Sequence, residues 1–185
     1  MRKNFGVKAL LYPEPVLVIA TYGADDVPNA MVAAWGGLSE ENEISICVSD
    51  EHQTALNLQQ RGAFTVSIAT VAQLKACDYV GMVSGKKCPH KLEKTGWTLR
   101  RSELVDAPII EELPMTLECK VKLYDAERCR LVGEIVNVSA DETILTNGAI
   151  DPKKLNPLVY DGMNHVYYAL GEQVGNAHAD GGALM

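Results

Sequence analysis

Two short clusters in this chain carry groups that hold anions. Ser49, His52 and Thr54 stand where a helical stretch begins, so unpaired backbone N–H groups and the helix dipole favour a negative charge there, and hydroxyls can donate to phosphate oxygens. Ser84, Lys86, Lys87 and Lys91 form the second cluster. It lies around KKCPHKLEK, four lysines against one glutamate on a chain whose formal net charge is −7. A basic spot of that size on an acidic protein suits one small anion better than a polyanion. Alone, each cluster also reads as ordinary structure: Ser49 and Thr54 as caps, the lysines as a solvated loop. Two such clusters in one chain favour a phosphate.

A third feature is the stretch PVLVIATYGADDVPNAMVAAW, Pro15 to Trp35. Its first arm, Pro15 to Tyr22, is apolar and rich in β-branched residues, Gly23 to Asp26 form a turn, and the second arm brings Asn29, small residues and a single indole. Small side chains at Ala30, Ala33 and Ala34 expose main-chain donors and acceptors, and Asn29 adds an amide with both. A flat heteroaromatic ring with mixed polar edges fits such an arm. So does an ordinary barrel strand with small residues where neighbours crowd.

Other chemistries find less support. In GMVSG the serine is one place away from a nucleophile elbow, without the strand, turn and helix that would present it. SGKK has the wrong glycine spacing for a phosphate loop, with Lys87 where a magnesium-binding hydroxyl belongs. No G-x-G-x-x-G follows a strand. Cys77, Cys88 and His90 are soft ligands by type, but their spacing is not that of a zinc site and no fourth ligand accompanies them.

The elements that position these groups are mostly strands. Apolar, β-rich runs recur at Val16 to Thr21, Ala30 to Trp35, Ile44 to Ser49, Phe64 to Ala69, Met115 to Tyr124 and Arg130 to Val138, a number and spacing that predict a barrel. One helix is predicted after Ser49 or Asp50, either of which can cap it, ending at Gly62. A second opens after Thr70 and ends at Gly81, and a third short one starts near Pro89 and ends before Gly96. From Gly171 onward no element is assigned. The 185 residues and 47% apolar content fit a single domain spanning 1–185. The acidic balance argues against nucleic acid, and no apolar run is long enough for a membrane span. The five cysteines are odd in number and widely separated, and read as mostly buried thiols of a cytoplasmic protein.

Seven segments in order, PEPVLVIATYG, PNAMVAAW, HQTALNLQQRGAFTVSIA, DYVGMVSGKKCPHKLEKTGW, APIIEELPMTLECKV, LVGEIV and YYALGEQVG, cover nearly the whole chain. With them the chain resembles the flavin reductase-like proteins of the FMN-binding split-barrel superfamily, of the flavoredoxin type. The resemblance implies a mainly β, Greek-key-like split barrel with short helices (α+β). It also implies a homodimer holding FMN noncovalently near the subunit interface. Asn29, Ala30, Met31 and Val32 are implied at the isoalloxazine edge, Trp35 as a wall of the ring, and Thr54 and Lys91 on the phosphate, with His52 and Ser84 as weaker phosphate candidates. A departure falls at Arg128, where relatives often carry a histidine ahead of Gly133, so the tuning of the flavin is expected to differ.

The implied function is an FMN-dependent oxidoreductase that takes hydride from NADH or NADPH and reduces a small-molecule or protein acceptor. A nicotinamide that visits briefly and stacks on the flavin needs no Rossmann fingerprint. The alternative is an FMN-binding electron carrier reduced by a protein partner, without direct use of a nicotinamide. A third reading, a barrel that has lost FMN and serves as a dimeric interaction module, is disfavoured by Asn29, Thr54 and Lys91.

Overall fold

All six residues of the strand Leu17–Tyr22 are buried, because this strand has core on both of its faces. The computed structural model describes residues 1–185. Its strands are β1 Glu14–Pro15, β2 Leu17–Tyr22, β3 Pro28–Ala33, β4 Gly36–Glu40, β5 Glu43–Cys47, β6 Ala63–Ile68, β7 Leu99–Arg101, β8 Pro108–Ile110, β9 Met115–Asp125, β10 Arg130–Ala140, β11 Leu145–Thr146, β12 Ala149–Ile150, β13 Leu158–Asp161 and β14 Val166–Ala169. Three short helices accompany them, α1 Gln53–Arg61, α2 Leu74–Met82 and α3 Pro152–Leu155. None is long and apolar enough to cross a membrane.

Seven strands form one antiparallel sheet in the order β3-β2-β6-β9-β10-β5-β4. Its two outer strands, β3 and β4, are consecutive in the chain and joined only by Ala34 and Trp35. Three Cα–Cα steps span at most about 11 Å, so the sheet must curl until its two edges nearly meet. The result is a half-barrel, mainly β and split between β3 and β4; the strand spacing predicts the barrel and the family resemblance its split.

Period-two alternation then sorts the side chains. Leu17, Ile19, Ile44, Ile46, Phe64, Val66 and Leu131 point into the barrel, and Ala55 and Leu58 of α1 complete that cluster. Val16, Val18, Ala20 and Ala30 point outward, against Cys77 and Val80 of α2 and against Leu92, Trp97 and Ile110. The small side chain of Ala30 therefore serves close packing against α2. The β2–β3 turn runs as the sequence predicts: Asp26 N–H donates to Gly23 O at 3.1 Å, Asp26 takes a left-handed φ of 62°, and Gly23 N–H donates to Val27 O at 2.8 Å.

Several boundaries differ from the sequence reading. The helix α1 starts at Gln53 with His52 as N-cap and no capping side chain, so neither Ser49 nor Asp50 caps it; Gly62 closes it with φ 64° as expected. The second helix follows a 3₁₀ turn at Val71–Gln73 and continues through Gly81 to Met82, because Gly81 packs against Val32 and is not in the left-handed region. The segment after Pro89 forms only a 3₁₀ turn, Lys91–Lys94. The sequence reading did not assign β13 and β14, which with β1 make a three-stranded sheet. Of the five cysteines only Cys77 and Cys119 are buried; Cys47 is exposed and Cys88 and Cys129 are half-buried. Cys47 takes the face of β5 opposite the inward Ile44 and Ile46, and Cys88 and Cys129 lie in connecting segments rather than in strands.

Inside the barrel Phe64, fully buried, packs its ring on Gly133, where a β-bulge interrupts the β9–β10 ladder. A Cβ added at Gly133 would lie 2.3 Å from Phe64 Cζ and 2.7 Å from Cε1. The enclosed ring has nowhere to retreat. Gly133→Ala is expected to cost about 1–3 kcal/mol by overpacking, read as a lowered urea midpoint with unchanged slope.

Candidate functional site

The outer edge of β3 carries the site. Because Gly23 pairs with Val27, the antiparallel alternation places Asn29, Met31 and Ala33 in the hydrogen-bonded pairs with β2, and turns the main-chain N–H and C=O groups of Ala30 and Val32 away from it. No strand covers that edge. The N-terminus of α1, the C-terminus of α2 and the loop Val83–Lys91 flank it instead.

A polar cavity of about 190 Å³ opens where these elements meet, lined among others by Asn29, Met31, Val32, His52, Thr54, Ser84 and Lys91. Thus the structure brings together residues that the sequence reading drew from three separate segments. Asn29 Nδ2 donates to Thr54 Oγ1 at 2.9 Å, tying β3 to the first turn of α1. Since Thr54 Oγ1 accepts this bond, its own hydrogen is free to donate into the cavity. Asn29 is 4% exposed and its Oδ1 has no hydrogen-bond partner, an acceptor left over in a buried place. Gly85 lies over it: a Cβ there would fall 2.3 Å from Asn29 Oδ1. The first N–H groups of α1, which no side chain caps, complete the donors on that side.

Lys91 is 2% exposed. Its Nζ donates to Val80 O at 2.7 Å and Val83 O at 2.6 Å, which caps the last turn of α2. Burial, opposed by Cys88, pulls its pKa down from 10.5 to about 8. No carboxylate neutralises it. Lys91 is therefore both a helix cap and an unpaired buried cation on the cavity wall, where the sequence reading saw a phosphate ligand or a lysine of a solvated loop.

A second cavity, about 240 Å³ and mostly apolar, continues along the outer face of β3. Val16, Val32, Ala34, Gly81, Met82, Tyr160 and Tyr167 line it together with Asp78, and Val32, Gly81 and Met82 are common to both cavities. Tyr160 and Tyr167 stack at 5.6 Å with a 47° tilt, and Tyr167 Oη donates to Asp78 Oδ1 at 2.9 Å. Burial, and next the hydrogen bond to Asp78, push Tyr167 up to about 12. These three polar residues were missed by the sequence reading, since Tyr160 and Tyr167 lie on strands it did not assign.

The other expected residues sit apart from these cavities. The indole of Trp35 is 58% exposed, one residue beyond Ala34. Ser49 accepts from Glu51 N–H at 3.3 Å within its own turn. Arg128 is exposed in the β9–β10 turn and paired with Asp125 at 2.8 Å. Ala30 contributes main chain only, for the packing reason given above.

The flavin reductase-like domain model matches residues 9–169. The chain belongs to the flavin reductase-like family. Flavoredoxin from Desulfovibrio vulgaris (Miyazaki F) superposes with a TM-score of 0.93 at 34% identity, over 98% of this chain and 100% of that one. Flavoredoxin from Methanosarcina acetivorans gives 0.87 at 29% identity, over 100% and 98%. An uncharacterised protein of Archaeoglobus fulgidus is 30% identical over 137 residues, 72% of this chain and 77% of its own. This chain sets an asparagine, a threonine and a buried lysine on one cavity wall.

The lysine gives a test of the site in the protein alone. Below about pH 8 Lys91 is charged in both the folded and the unfolded chain, and the fold carries its desolvation; between about 8 and 10.5 the folded chain has released a proton that the unfolded chain still holds. Stability contributed by this group therefore rises with pH across that window and is level on either side. Urea midpoints taken from pH 7 to pH 10.5 are expected to rise for the wild type relative to Lys91→Met. Parallel curves would mean that Lys91 does not titrate there.

Proposed function

We propose that the paired cavities bind FMN and that the protein is an FMN-dependent oxidoreductase using NADH or NADPH. The observation that carries this reading is the continuity of a polar and an apolar chamber along one free strand edge, which suits a molecule with a phosphate at one end and a flat ring at the other. The residues fit such a ligand. Thr54 Oγ1, the open N-terminus of α1, Ser84 and the unpaired Lys91 favour a phosphate at the polar end. The orphaned Asn29 Oδ1 calls for a donor, which a phosphate dianion lacks and a sugar-alcohol hydroxyl has. Ala30 and Val32 offer main-chain donors and acceptors to a ring edge, and the apolar lining offers it a face.

Bound there, FMN supplies a two-electron carrier that accepts hydride from the nicotinamide and hands electrons to an acceptor. The chain's own part is to fix the phosphate and the ring edge and to keep water off one face through Val16, Val32 and the tyrosines. Met82 lines both cavities and is 78% exposed, and Trp35 and Leu38 are 58% and 71% exposed. Apolar surface of that kind beside a binding site favours a homodimer in which a second chain closes the cavities.

Titration by fluorescence quenching tests the phosphate assignment. Thr54→Val should weaken FMN by about 1.5–3 kcal/mol, the range for a hydrogen bond to a charged group, and riboflavin by clearly less, since both ligands feel the loss of the Asn29 anchor and only FMN loses a donor to its phosphate. Equal losses for both ligands would move the phosphate elsewhere. Anaerobic mixing of the FMN-loaded protein with NADH or NADPH should bleach the yellow colour; a chromophore that stays oxidised would make the protein a carrier served by a protein partner. Light scattering on a sizing column should show two chains per particle.

A further inference from the structure

Two of the five cysteines converge outside both cavities. Cys47 ends β5, its N–H donates to Trp35 O at 2.8 Å, and it stands opposite Arg130 in the β5–β10 ladder. The next rung is Val48 N–H donating to Cys129 O at 2.8 Å. Cys129 is thus one residue diagonal to Cys47, a Cα separation of about 6 Å from strand spacing and rise. A disulfide spans roughly 4.4–6.8 Å between Cα atoms.

Regular alternation would send the Cys129 side chain to the same side as Val48, which is fully buried in the barrel. Cys129 instead closes the β9–β10 turn, its N–H donating to Ala126 O at 3.3 Å and its thiol to the same oxygen at 3.9 Å. Its φ is 51°, in the left-handed region that favours glycine or asparagine, and its thiol is half-buried rather than enclosed. The left-handed φ belongs to this turn, and it leaves the half-buried Cys129 thiol near the exposed Cys47. Burial, and next the neighbouring Cys129, raise the Cys47 thiol above its ordinary value. Both thiols also act on Tyr124, whose hydroxyl donates to Val48 O at 3.1 Å, so the three groups share one corner of the barrel. The remaining cysteines are elsewhere: Cys77 and Cys119 are buried and pushed up to about 12, and Cys88 lies in the loop after α2.

We propose that Cys47 and Cys129 form a reversible intrachain disulfide by exchange with a small-molecule disulfide such as glutathione disulfide. One protein thiolate attacks the glutathione disulfide, forming a mixed disulfide and expelling one glutathione. The second protein thiolate attacks the protein sulfur of that mixed disulfide and expels the other glutathione. Two protein thiols lose two electrons, the glutathione disulfide gains them, and the two thiol protons end on the two glutathione molecules. The bond joins the β9–β10 turn to the strand end that is hydrogen-bonded to Trp35. It is a property of the bare chain and does not rest on FMN binding.

The test uses the purified full chain, incubated at mildly alkaline pH with glutathione disulfide, trapped with N-ethylmaleimide in denaturant and weighed intact and as peptides. The reduced chain should take up five maleimides, one for each free cysteine. The oxidised chain should take up two fewer, yield a peptide pair joined through Cys47 and Cys129, and recover full labelling after dithiothreitol. Cys88→Ser should still form the bond, whereas Cys47→Ser and Cys129→Ser should not. Full labelling after oxidation, a stable glutathione adduct on Cys47, or a bond from either residue to Cys88 or to a second chain would overturn the proposal.

Discussion

The two-residue link Ala34–Trp35 between the two outer strands of the seven-stranded sheet is the constraint on which the rest of this structure depends. So short a link cannot cross a flat sheet, so the sheet curls and its two edges come together at this corner. The inward faces of β2, β5, β6, β9 and β10 then find one another, and α1 supplies Ala55 and Leu58 to the same core. Curling also leaves β2 with a convex outer face, which α2 covers. The double burial of β2, apolar along its whole length, follows from this arrangement.

A split barrel keeps a free edge, and an unpaired edge in a folded protein has to be blunted or used. Here it lies beside two helix ends of opposite polarity. The N-terminus of α1 brings positive potential to the cavity, while the C-terminus of α2 alone would bring negative potential and repel an anion. Lys91 reverses the second effect, placing its ammonium on the carbonyls of Val80 and Val83. The same two bonds satisfy the last turn of the helix. One buried side chain thus decides both how α2 ends and what charge the cavity favours, and its depressed pKa reflects the burial that the dual role demands.

Polar side chains bind the elements around that edge to one another. Asn29 joins β3 to Thr54 of α1, and a second chain of bonds runs from Gln53 through Asn57 to Thr21 of β2 at 2.8 and 2.9 Å. Asn57 and Thr21 are fully buried, with Asn57 Nδ2 donating to Thr21 and Asn57 Oδ1 accepting from Gln53. Asn29 is satisfied on one side only. A buried network with a single open acceptor, next to a cavity, is the expected form of a site whose last hydrogen bond comes from a ligand.

The sequence by itself determined the strand-rich character, the β2–β3 hairpin with its turn, the end of α1 at Gly62, and the two anion-favouring clusters. Each depends on local periodicity, on a residue with special backbone freedom, or on charge type, all of which are written within a few neighbouring positions. Tertiary structure alone decided the pairing of distant groups. That Thr54 meets Asn29, that Lys91 folds back onto α2 and that Tyr160 and Tyr167 reach the face of β3 depend on how the sheet curls and which element covers its edge. The helix start was misread because Ser49 and Asp50 are good caps by type, yet the strand β5 and its turn hold them short of the helix. Ala30 was read as exposing backbone, which the free edge of β3 allows, but its small side chain also lets α2 approach β3, which no local pattern shows. In each case the residue type fixed what the group can do, and packing against elements far away in the chain fixed what it does.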